Sequence, residues 1–204
     1  LLLIPGAGTF CSAAEAERTY TCSDWAETDV FSALYYGLAR APYGGDYRQP
    51  IQRQAFGENA AALVARTYGT DLDLYLNVTS FRLQKASGWG TVGLYDPVLA
   101  VAKELGILQG REDGSLDGAT LITRQEAAKV IVTAYLFKMN IQDIANTNIS
   151  FYDSHEIAGW AAEYVQKAVA SGLMNGMGDG LFAPAQNMTR AQGATIIARL
   201  LNKE

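Results

Sequence analysis

The sequence predicts a mainly α-helical protein: three helix–loop–helix repeats packed as a pseudo-threefold helical bundle. Three observations predict it. First, Gly106–Ile131 (GILQGREDGSLDGATLITRQEAAKVI) aligns without a gap on Gly172–Ile197 (GLMNGMGDGLFAPAQNMTRAQGATII) at a constant offset of 66 residues. Second, a looser copy lies upstream, where Trp25–Leu38 (WAETDVFSALYYGL) aligns on Trp160–Leu173 (WAAEYVQKAVASGL) at an offset of 135. Third, each copy places apolar residues at helical spacing on either side of a Gly-rich loop. Repeats of this length are supersecondary units that cannot bury their apolar faces alone. Three helix pairs around a common axis can, which favours a closed bundle over an open solenoid. The boundaries fall at residues 17–76, 77–146 and 147–204.

Taken in order, residues 1–16 precede the first repeat. Leu1–Phe10 is apolar and Ala14-Glu15-Ala16 has the small-x-small form of a signal-peptidase site, so this stretch reads as the tail of a secretory signal. A buried strand or short helix is the alternative. Cys11 and Cys22, with ten residues between them, permit a disulfide in an oxidising compartment or stay as two thiols. With no CxxC and no Cys/His cluster, a zinc site is not expected. Repeat one predicts helices over Ser23–Leu38 and Arg53–Tyr68. The segment 71–93 links it to repeat two, whose first helix starts near Tyr95-Asp96-Pro97, an N-cap followed by Pro at N1. Val98, Leu99, Ala102 and Leu105 form its face, and Gly106 ends it. The second helix covers Arg124–Lys138. After a link over 140–153, repeat three has Ile157, Trp160, Ala161, Tyr164, Val165, Ala168 and Val169 at helical spacing, stops at Gly172 and restarts at Thr189.

Thr123-Arg124-Gln125-Glu126 is a capping box, and Thr189-Arg190-Ala191-Gln192 repeats it with Gln in the Glu role. The caps account for themselves at about 1 kcal/mol each. The arginines do not, because a cation in the first turn sits at the positive end of the helix dipole. Yet an Arg recurs in all three copies, as Arg53, Arg124 and Arg190. Either each pairs with an acid such as the loop residues Asp113 or Asp179, or Arg and the helix N-terminus together hold an anion. The Gly-rich loop, with Gly110 and Gly176 at equivalent positions, lets a ligand approach the backbone closely. Trp25 and Trp160 either pack in the core beside their neighbouring Ala or stack on a sugar face.

Other signals point away from chemistry. Asp113-Gly114 and Asp179-Gly180 offer too few oxygens for calcium and read as turns. His155, the single histidine, sits before a helix with no nucleophile arrangement around it. No metal, cofactor or catalytic activity is expected. The net charge of −5 argues against nucleic-acid binding, and no apolar run approaches the roughly 18–20 residues of a membrane span.

These motifs resemble the S-layer homology module. The two aligned Gly-rich stretches and the opening Phe151-Tyr152-Asp153 with Trp160-Ala161 are similar to that family's pattern. The likeness covers nearly everything after about residue 20, strongest in repeat three and weakest in repeat one. The resemblance implies a three-pronged helical assembly that holds exported proteins non-covalently on the bacterial cell wall. It implies an acidic, often pyruvylated, wall polysaccharide as ligand, seated between prongs, and it carries the ligand-binding role onto Arg124 and Arg190. Thr123, Thr189, Arg53 and both tryptophans complete the candidate set. Repeat one departs from the pattern, with Gln52-Arg53-Gln54-Ala55 lacking both Thr and Glu and with an altered loop, PYGGDYRQP. Repeat two has Leu94-Tyr95 where the others have Trp-Ala. More weight therefore falls on Arg124 and Arg190 than on Arg53. The implied protein is secreted and wall-bound. The other readings are the anchor fragment of a larger exported enzyme, a peptidoglycan binder, or a scaffold that self-associates in a surface layer.

Overall fold

The computed structural model describes residues 20–39, 45–67, 102–103, 105–109, 117–145 and 148–204. The expected signal tail, Cys11, the first helix of repeat two up to residue 101, Gly110 and Asp113 lie outside these residues. The described chain is mainly helical, with α1 (Glu27–Tyr35), α2 (Arg53–Thr67), α3 (Arg124–Met139), α4 (Ala162–Ala170) and α5 (Arg190–Leu201). A short parallel pair, β1 (Tyr20–Thr21) and β2 (Gly45–Asp46), completes it.

The helix ends follow local chemistry. Thr123 caps α3 and Thr189 caps α5, each accepting from the third helical amide while Glu126 or Gln192 accepts from the cap's own amide. Gly37, Gly106 and Gly172 all take left-handed φ, between 65° and 68°, where a side chain would be strained. The first helix of repeat three starts later than its periodicity suggests, at Ala162. Ser154–Glu156 forms a single 3-10 turn and Ile157 is extended, so the chain enters the helix through a bend.

α2, α3 and α5 touch one another, while α1 packs on α5 and α4 on α3. At the centre the backbone closes a ring. The Ile51 amide donates to the Met188 carbonyl (2.9 Å), Met188 to Ile122 (3.0 Å) and Ile122 back to Ile51 (3.1 Å). All three side chains are buried. They occupy the same place, two residues before the Arg of each repeat. The ring accounts for amides and carbonyls that would otherwise be buried without partners. Phe56 fills the space beside it, facing Gly193, where a Cβ would lie 3.3 Å from the Phe56 ring and 3.2 Å from Ile51. The main core gathers along α2, α3 and α5, and a smaller cluster joins Ala26, Val30 and Ala33 to Ala191 and Ala194.

Candidate functional site: a groove at Arg124

The starts of α2, α3 and α5 each meet a segment from elsewhere in the chain. The Arg53 amide donates to the Thr120 carbonyl (2.8 Å), Arg124 to Gln186 (2.9 Å) and Arg190 to Gln49 (2.9 Å). The next amide in each helix does the same: Gln54 donates to Gly118, Gln125 to Pro184 and Ala191 to Tyr47. In α3 and α5 the third amide goes to the Thr cap. The anion site expected at backbone amides of the helix N-termini is therefore corrected: those donors are spent inside the protein. Any anion recognition here falls to side chains.

Arg124 is the most developed of these. Its side chain is buried, with Nε donating to the Phe182 carbonyl (2.7 Å) and Nη2 to the Asn175 carbonyl (2.7 Å). The guanidinium lies 4.7 Å from the Phe182 ring centroid. Among the described residues Nη1 has no hydrogen-bond partner. Burial pulls the Arg124 pKa down to about 10, against the opposing charge of Asp153, so the group stays cationic at neutral pH. Asp179 is not its partner; that residue sits at φ 50° in the loop turn, as its sequence context predicts.

Arg124 lines a groove of about 330 Å³ with Trp25, Asn175, Gly176, Met177, Gln192 and Arg199 among its neighbours. Its lining holds two arginines and no carboxylate. Thr195, also in the lining, has a buried hydroxyl without a hydrogen-bond partner. Gly176 earns its place by proximity: a Cβ there would stand 2.8 Å from the Leu181 carbonyl oxygen and 3.0 Å from Phe151. Gly176→Ala is expected to cost about 1–3 kcal/mol through overpacking, read as a fall of roughly 2–12 °C in melting temperature by calorimetry.

The tryptophans correct the core reading. Trp25 is 61 % exposed and Trp160 51 % exposed, while the following Ala26 and Ala161 are fully buried. The small residue, not the ring, turns inward at this tight packing. The Arg53 site differs from its counterpart. Arg53 Nη1 forms an ion pair with Glu126 at 2.6 Å, and Nη2 donates to the Gln109 carbonyl. Gln109 matches Asn175 at the repeat offset. The third arginine, Arg190, is half-buried near Gly45, and residues 40–44 lie outside the described residues. Thr123 and Thr189 serve as caps. His155 is exposed, and no cluster of metal-ligating side chains occurs among the described residues. Sequence reasoning missed Asn175, Gln192, Thr195 and Arg199 as groove residues. Only Gln192 carried a signal, as the amide standing where the earlier copy has Glu126.

Residues 95–128 and 150–194 match the S-layer homology domain. Among curated relatives, the endoglucanase of Bacillus sp. (strain KSM-635) is 36 % identical over 52 % of this chain and 11 % of its own length. Cell surface glycoprotein 1 of Acetivibrio thermocellus is 36 % identical over 47 % of the chain and 4 % of its own length. The surface-layer 125 kDa protein of Lysinibacillus sphaericus is 26 % identical over 93 % of the chain and 15 % of its own length. The chain thus spans at most 15 % of the length of these relatives. The domain match and the surface-layer relative place it at the cell surface, associated with the wall, and support an anchoring role. No helix among the described residues is long and apolar enough to cross a membrane.

Proposed function

From the premise that this chain belongs, over residues 95–128 and 150–194, to the S-layer homology family, we propose that it anchors its protein by gripping an acidic, pyruvylated wall polysaccharide in the Arg124 groove. One observation carries the reading: a guanidinium fixed to two carbonyls leaves Nη1 without a hydrogen-bond partner among the described residues, in a groove whose lining holds a second cation and no acid. Asp153 opposes its charge without forming an ion pair with it, and a buried charge so incompletely paired is costly. A ligand carboxylate would relieve that cost with a short charge-assisted bond. Trp25, exposed at the rim, supplies an apolar face for a sugar ring. The closed backbone ring supports the pseudo-threefold arrangement, with grooves recurring between neighbouring repeats. Arg190 is assigned the same role in its own groove. Where the whole protein has a catalytic part, that part lies outside these residues.

Co-sedimentation with purified cell walls tests the proposal. The protein is expected to pellet with intact walls and to remain in solution with walls stripped of their acidic polysaccharide. Equal pelleting with both would move the function to peptidoglycan binding. Pelleting without walls would move it to self-assembly.

A further inference from the structure

The two described arginine sites are built from equivalent positions, which makes their differences informative. In the Arg124 groove the third residue of the facing helix is Gln192, a neutral amide. In the Arg53 site the same position holds Glu126. Glu126 uses one carboxylate oxygen for the Thr123 amide (2.9 Å) and the other for Arg53 Nη1 (2.6 Å). The remaining cation there, Lys129, hydrogen-bonds Gln109 and lies over the rings of Trp160 (5.6 Å) and Tyr164 (5.4 Å). The protein has thus bonded a carboxylate to one arginine and left the other with only the longer-range charge of Asp153.

We propose that this single position selects which groove accepts an anionic saccharide: Gln192 leaves Arg124 open, and Glu126 occupies Arg53 as an internal stand-in for the ligand. The inference rests on the functional reading above and deepens it. An incoming carboxylate at Arg53 would have to displace a bonded carboxylate and would sit beside its charge. At Arg124 it meets an amide that can donate a hydrogen bond. Gln192 also shows that Gln completes the capping box, so Glu126→Gln removes the charge while keeping the cap.

The test uses the full chain labelled with 5-fluorotryptophan. Its three tryptophans give separate fluorine resonances, assigned by single Trp→Phe variants. Trp25 reports on the Arg124 groove and Trp160 on the Arg53 site. The probe is oligosaccharide released from the acidic wall polysaccharide, with depyruvylated oligosaccharide as control. In the unmodified chain Trp25 is expected to shift saturably and Trp160 to stay still. In Glu126→Gln, Trp160 should respond as well, with at least a tenfold gain in apparent affinity at that site. A Trp160 response equal to that of Trp25 in the unmodified chain overturns the selection. So does a silent Trp160 in folded Glu126→Gln while Trp25 still responds. Silence of both reporters overturns the Arg124 groove itself, and this inference with it.

Discussion

Arg124→Met is expected to abolish wall binding and to lower unfolding stability by about 2–4 kcal/mol, because the same side chain serves both ends. It removes two charge-assisted bonds to the carbonyls of Phe182 and Asn175. Each such bond contributes roughly 1.5–3 kcal/mol, and the carbonyls are left buried. It also removes the cation from above the Phe182 ring. For a chain of this size the loss corresponds to roughly 4–16 °C in melting temperature. Arg124→Lys separates the two effects. A lysine keeps the charge and can satisfy one carbonyl, but it cannot hold both carbonyls and a ligand oxygen in one plane. It should recover part of the stability while sedimenting with walls at least tenfold more weakly. Arg53→Met supplies the contrast. It breaks the ion pair with Glu126 and costs stability, yet leaves wall binding at the Arg124 groove intact. Urea unfolding and wall co-sedimentation, run on all three variants, check the set. A fully stable Arg124→Met that still pellets would sink the assignment.

The helical plan was open to reading from the chain because its signals are local. Thr at the caps, Gly at the left-handed stops and apolar spacing each act within one or two turns, and α2, α3 and α5 begin where their arginines predict. The offset of 66 matched Arg124 to Arg190, and the likeness of Ile51–Gln54 to Ile122–Gln125 added Arg53; all three are the first residue of a helix. What could not be read was the destination of each donor. The helix-start amides looked free for an anion because their partners, Thr120, Gln186 and Gln49, come from neighbouring repeats. Nor could spacing tell that Trp160 would point outward and Ala161 inward, since both precede the first turn of α4 and tertiary packing decides between them. The division between Arg53, paired with Glu126, and Arg124, facing Gln192, is likewise a contact between repeats. The sequence showed Glu and Gln only as two versions of one cap.

The groove also depends on a carboxylate that never enters it, and this gives the site an acid sensitivity of its own. Asp153 is buried and accepts from the amides of Phe182 (2.9 Å) and Ala183 (2.7 Å). Those bonds hold Ala183 at φ 57°, an unfavourable conformation for a residue with a Cβ. They also fix the Phe182 carbonyl that receives Arg124. Burial alone would raise the Asp153 pKa, but the amides of Phe182 and Ala183, together with its own amide and the charge of His155, hold the carboxyl below the ordinary range. A carboxylate depressed in the folded state contributes stability above its unfolded value, near pH 4, and that contribution is lost as pH falls through the folded value. Asp153→Ala should therefore cost about 2–4 kcal/mol at neutral pH, since two amides lose a charged acceptor. Asp153→Asn, which keeps one acceptor oxygen, should cost about half as much. The gap between wild type and Asp153→Asn should be constant from pH 7 down to about pH 5 and then narrow with further acidification. Urea unfolding of both proteins across that range measures it. A gap that widens in acid would mean that the amides do not stabilise the ionised form, and the link from Asp153 through Phe182 to Arg124 would fail with it.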